Sequence, residues 1–207
     1  MARSPRILLI GAVIATPFFV ALWAVQAFTR EGFIPTFHPM SLLSLGDGGW
    51  VQIINFVVTG LLVLGGGFGL RRALAPGWLT RWAGILVALM GVGLIVAGVF
   101  VTDAGAGFPA GAPDGAPAMS WHGAVHQAGF VLTQLAFIAA AVVLSVHFGR
   151  TRQRGWMLAC IVAALAAVLV AVVGDPATLA LRLVISAAIE LGLVSAIALV
   201  CVLGRIR

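Results

Sequence analysis

Six apolar stretches, separated by short polar or glycine- and proline-rich breaks, set the pattern of this chain: residues 7–28, 50–70, 80–101, 121–148, 156–173 and 177–204. A helix needs about 20 mostly apolar residues to cross a hydrocarbon core about 30 Å thick. The pattern therefore predicts an all-α integral membrane bundle of six transmembrane helices, a single domain over residues 1–207. The fifth run is short, and the fourth and sixth are long enough to tilt or protrude. The first follows a basic start, "MARSPR", as a secretory signal does. It is longer than a signal's apolar core and has no small-x-small site before Arg30, so it reads as a retained span.

Composition agrees with that class. Hydrophobic residues make up 62% of the chain and charged residues 9%, against roughly 25% charged in soluble domains. The net charge of +6 is carried by arginine alone and is dispersed between apolar runs, which excludes a nucleic-acid surface. Missing lysine beside plentiful alanine, glycine and arginine reads as the coding bias of a high-GC bacterium.

Arginine placement predicts orientation, because basic residues are retained on the cytoplasmic side. Arg3, Arg6, Arg71, Arg72, Arg81, Arg150, Arg152, Arg154, Arg205 and Arg207 fall on one side, and Arg30 and Arg182 on the other. Both termini are expected in the cytoplasm and the protein in the cell membrane. Cys160 and Cys201 then lie near the reducing side, where a disulfide is not expected, and read as small buried residues.

Gly60, Gly65, Gly66, Gly67 and Gly69 of the second run, with Gly84, Gly91, Gly93 and Gly98 of the third, predict a close pair. Ala159, Ala163, Ala167 and Ala171 of the fifth run, facing Ala188, Gly192 and Ala196 of the sixth, predict another. Two outer loops remain. The first is apolar and is expected to lie along the interface as a short amphipathic segment. The second, "TDAGAGFPAGAPDGAPAMS", reads as a flexible lid or irregular cover.

Candidate chemistry gathers at the outer level. His122 and His126 are four residues apart, which puts both imidazoles on one helical face about 6 Å apart. With Asp103 closing the third run they form a candidate metal set for zinc or another divalent ion, with a position left for water. His38 and Ser41 in the first loop are candidate catalytic groups beside it. Heme is disfavoured, since neighbours on one helix cannot take opposite faces of one iron. Glu190 is the other anomaly, a carboxylate in mid-span that costs at least a few kcal/mol there unless paired or protonated. Asn55, Gln134, Asp175 and Arg182 are the polar residues expected to serve it or a ligand.

The runs "FHPMSLLSLGDGGWVQIINFVVTGLL" and "GVGLIVAGVFVTD", followed by a histidine opening the fourth span, resemble the bacterial family catalogued as domain of unknown function 998. The resemblance covers most of the chain. It implies a polytopic bacterial membrane protein without an assigned activity, and gives weight to His38, Ser41, Gly46, Trp50, Asn55, Asp103 and His122. The residue types also resemble those of membrane hydrolases of the alkaline ceramidase and adiponectin-receptor type, although those have seven spans and place the set differently.

Two readings follow. One is a multi-pass membrane protein that binds a lipid or small molecule in an outward-facing polar pocket, as a sensor or transporter does. The other is a metal-dependent membrane hydrolase with an outer-leaflet His/Asp site. Whether the chain is an enzyme, and its oligomeric state, stay open at this point. Membrane lipids are the expected partners.

Overall fold

The computed structural model describes residues 3–206; Arg207, counted above with the basic terminus, lies outside them. Six α-helices form: α1 Arg3–Thr29, α2 Gly49–Ala73, α3 Trp78–Val99, α4 Trp121–Arg150, α5 Arg154–Val172 and α6 Leu179–Val202. All six are long and apolar enough to cross a membrane, and among the described residues no strand is present beyond an isolated Gly105–Phe108 bridge. The chain is a multi-pass membrane protein. The second helix runs past its apolar stretch to include Arg71 and Arg72 in its last turn, where cations meet the negative end of the helix dipole.

Successive helices are antiparallel and each packs on the next, and α6 closes the ring against α1. Thr16 and Ser195 hydroxyls meet at 2.7 Å, and Ser195 Oγ donates to Ala12 O at 2.7 Å, fixing that closure. One end of the bundle, the termini face, carries Arg6, Arg71, Arg72, Arg81, Arg150, Arg152, Arg154 and Arg205. The opposite loop face carries residues 30–48, 100–120 and 173–178. Exposed tryptophans mark both levels, Trp50 and Trp121 near the loop face and Trp78 and Trp82 near the other, as in the aromatic belts of membrane proteins.

The predicted glycine seam forms between α2 and α3. A Cβ on Gly67 would strike Gly84 O and lie 2.6 Å from Ala88 N, and one on Gly60 would lie 2.6 Å from Gly91 O. Gly66 and Gly69 serve a different neighbour, admitting Ala12 and Leu9 of α1. The expected α5–α6 match is only partly present. Ala167 is buried and takes a hydrogen bond from Ser186 Oγ at 3.0 Å, whereas a Cβ on Gly192 would meet nothing within 4 Å. Cys160 and Cys201 are free and buried.

The first loop is not arranged as expected. It folds inward rather than along an interface: a 3-10 turn at Met40–Ser44 buries Leu42 and Leu43. The second takes the form of an irregular cover rather than a loose lid, with Phe108 buried in the same apolar cluster as Trp23, Phe33 and Leu43. Arg30 ties the two together, donating to Leu43 O (3.2 Å) and Leu45 O (2.6 Å) and lying over the Phe108 ring. Apolar loop residues have a hydrophobic surface to cover, and burying each contributes about 1.5–3 kcal/mol. The result is a two-layer roof over the bundle.

Candidate functional site

Beneath that roof lies a cavity of about 260 Å³. Phe19 of α1, Phe56 of α2, Leu94 of α3, and Leu183 and Leu191 of α6 give it apolar walls. Met40 and Ser41 of the first loop and Thr102 of the second close it above. Helix α5 contributes nothing to it. Two helical stripes supply the polar side chains: His126, Phe130, Thr133 and Gln134 on α4, and Leu183, Ala187 and Glu190 on α6, each spaced to recur on one face. Helices α4 and α6 form no packed seam with each other, and the lining residues Gln127 and Phe130 are themselves exposed. The cavity is open at their level.

Glu190 forms the floor. It is 2% exposed, and its Oε1 accepts from Gln134 Nε2 at 2.8 Å and Ser186 Oγ at 3.0 Å. Ser186 has one proton, and that proton also reaches Ala167 O. Glu190 thus holds one full donor and one shared donor. Of Asn55, Gln134 and Arg182, the polar residues of other turns and spans expected near it, Gln134 arrives and the other two do not. Asn55 belongs to a separate buried cluster, donating to Phe19 O (3.1 Å) and Gln52 Oε1 (3.3 Å), with Gln26 Nε2 on Gln52 Oε1 at 2.8 Å and Thr59 on Asn55. Arg182 turns to the end of α5, where its guanidinium donates to Val170 O, Ala171 O and Asp175 O. Those carbonyls end a helix and want donors. Asp175 caps its own turn through Ala177 N.

The expected metal set is not assembled. Among the described residues no group of three His, Cys, Asp or Glu side chains is placed to hold a metal ion. Both histidines of the pair are spent on backbone carbonyls at the end of α3. His122 Nδ1 donates to Val101 O at 2.8 Å, and His126 Nδ1 to Ala97 O at 2.8 Å and Phe100 O at 3.0 Å. The four-residue spacing therefore builds a side-chain cap for α3, satisfying carbonyls that the helix leaves unpaired. Asp103 serves α4 instead, its Oδ2 accepting from Ser120 N at 2.9 Å, and it approaches so near that a Cβ on Gly123 would overlap it. Its Oδ1 lies 3.8 Å from His122 Nε2, beyond a hydrogen bond. The hydrogen bonds from Ser120, with His122 and His126 adding their charge, hold the Asp103 carboxyl below its usual value of 3.8.

His38 and Ser41 are not brought into a catalytic pair. His38 is buried with both ring nitrogens engaged: Nδ1 accepts from Ile34 N (2.9 Å) and Nε2 donates to Ala106 O (3.0 Å). Phe33, Phe37 and Phe108 surround the ring at 5.2–5.5 Å. It clasps one loop to the other. Ser41 lines the cavity, and its carbonyl accepts from Ser44 Oγ. His126 also lines the cavity; with Nδ1 committed, Nε2 is its free ring nitrogen.

Sequence reasoning passes over Met40, Thr102, Gln127 and Thr133. Gln127 carried a signal, as an amide two turns inside an apolar run next to His126. A model of the family described as "Protein of unknown function (DUF998)" matches residues 13–205. No curated protein and no solved structure matches the chain.

Proposed function

Since this chain belongs to the DUF998 family, whose description assigns no activity, we propose its function from the cavity: it binds a lipid or small amphipathic molecule beneath the loop face. The observation that carries this reading is an apolar chamber with a buried carboxylate at its floor and exposed lining residues, Gln127 and Phe130, at its side. Ligand sites are mostly apolar with a few polar groups that orient the guest. At about 260 Å³, the chamber is near the lower end of small-molecule sites, which begin around 300 Å³. That volume suits one acyl or alkyl chain rather than a two-chain lipid. The arginines cluster at the far face, so by the positive-inside bias the chamber belongs to the outer half of the membrane and the termini to the cytoplasm. Hydrolysis at a metal held by Asp103, His122 and His126 has no comparable support, since those groups bond to backbone or to Ser120.

Native mass spectrometry of the full chain released from lipid nanodiscs tests the reading. Ala187→Trp places a large ring in the chamber, and Gly192→Trp places the same ring on open surface. A single-chain amphiphile is expected to be retained by the parent and by Gly192→Trp and lost from Ala187→Trp. Equal retention in all three, or none in the parent, overturns it.

A further inference from the structure

Glu190 is placed to recognise one kind of headgroup. Both of its hydrogen bonds arrive at Oε1, so Oε2 has no partner among the described residues while the side chain lines the cavity. Among the described residues no lysine or arginine lines the chamber. Arg182, the basic residue nearest along α6, is committed to three carbonyls around the end of α5. His126 lines the same wall eight residues before Gln134 on α4, or about 12 Å higher at 1.5 Å per residue. A carboxyl group taken out of water stays ionised only with charged or hydrogen-bonding partners. The protein provides one full donor, a shared proton and no cation.

We propose that the missing partner is the ligand: a single-chain amphiphile with a primary amine head, its ammonium on Glu190 Oε2 and its tail leaving past Phe130 through the gap between α4 and α6. This rests on the binding reading above and adds the headgroup and the path. An ammonium supplies three donors and a positive charge, which completes the carboxylate. An alcohol of the same length supplies one donor and no charge. A fatty acid brings a second carboxylate to the first, and like charges at one site repel. The exit lies where Gln127 and Phe130 are exposed and α5 does not line the wall. An apolar tail entering there never has to cross the roof.

Binding of dodecylamine, dodecanol and dodecanoate to the full chain in nanodiscs, at matched mole fractions in the bilayer, tests the headgroup. Dodecylamine is expected to bind about tenfold more tightly than dodecanol, a preference of the size that a charge-assisted hydrogen bond gives, with dodecanoate weakest. Glu190→Gln keeps an oxygen for Gln134 and Ser186, so the fold has its contacts. It should erase the amine preference while dodecanol still binds, which also reports that the variant is folded. Equal binding of all three by the parent, or an amine preference that survives Glu190→Gln, overturns the headgroup and leaves the cavity reading standing. Failure of the parent to bind any of the three removes both.

Discussion

Substituting the glycine seam one position at a time gives a graded series that the structure orders in advance. An alanine Cβ at Gly67 would meet Ala88 N at 2.6 Å and Ala88 Cα at 3.0 Å, besides Gly84 O. These are backbone atoms and cannot rotate aside. Reaching ordinary contact at 3.4 Å with Ala88 N alone requires α2 and α3 to part by about 0.8 Å, and Gly84 O, nearer still, requires more, along a seam that also holds Gly60 against Gly91. Overpacking of this kind costs about 1–3 kcal/mol, and the backbone origin of the clash places it in the upper half. Alanine recovers about 1 kcal/mol of helix propensity over glycine. The expected net loss for Gly67→Ala is about 1–2 kcal/mol. At Gly65 the new Cβ meets only Leu8 Cδ2 at 3.2 Å, a side-chain tip that can move, so Gly65→Ala should be near neutral. Gly192→Ala meets nothing within 4 Å and should gain up to about 1 kcal/mol. Reversible unfolding in mixed micelles, followed by far-UV circular dichroism, measures all three. A Gly67→Ala protein as stable as Gly192→Ala would refute the claim that backbone contact sets the α2–α3 distance. Because Phe56 and Leu94 line the cavity from these two helices, the same variant should also weaken amphiphile retention.

Two further outcomes concern the roof and its supports. Asp103 has a folded pKa below its unfolded one, so its contribution is present above the usual carboxylate value of 3.8 and is lost as pH falls through the lower folded value; Asp103→Asn should flatten that acid limb in a pH series of melting midpoints, and an unchanged limb would show that other carboxylates carry it. His38→Ala removes the bond to Ala106 and the centre of a three-phenylalanine cage, and should raise the rate at which protease cuts residues 100–120 by about tenfold, a lost opening free energy of about 1.4 kcal/mol. Cutting at the parental rate would mean that the cage holds without its histidine.

The six spans are legible in the sequence because length and apolarity are local properties, and α3 and α4 begin within two residues of their apolar runs. The depth of each polar residue is legible too, since it follows from position along a span. Rotation about the helix axis is not. Glu190, Asn55 and Arg182 have depths that allow a meeting, but only Gln134 and Ser186 share the azimuth of Glu190. The histidine pair shows the same limit. Its spacing fixes a common face, while the partners on that face are carbonyls of another helix's last turn, which no side-chain pattern announces. The roof is illegible for a further reason: Ala106 and His38 belong to loops whose composition says only that they are irregular, and their meeting spans 68 residues of chain.

Closure of the ring by α6 against α1 imposes an order on biosynthesis. The bonds Thr16–Ser195 and Ser195–Ala12 join positions about 180 residues apart, so they form only once α6 has left the ribosome. The α1–α2 amide cluster and the glycine seam can assemble while translation continues, since each joins adjacent hairpins. The chamber cannot, because its floor, Glu190, arrives with that final helix. Until then Gln134 waits in the bilayer without its acceptor, a nascent chain with five spans and an unfinished interior. The arrival of α6 is thus the step that turns an open arc of helices into a closed ring with a chamber inside it.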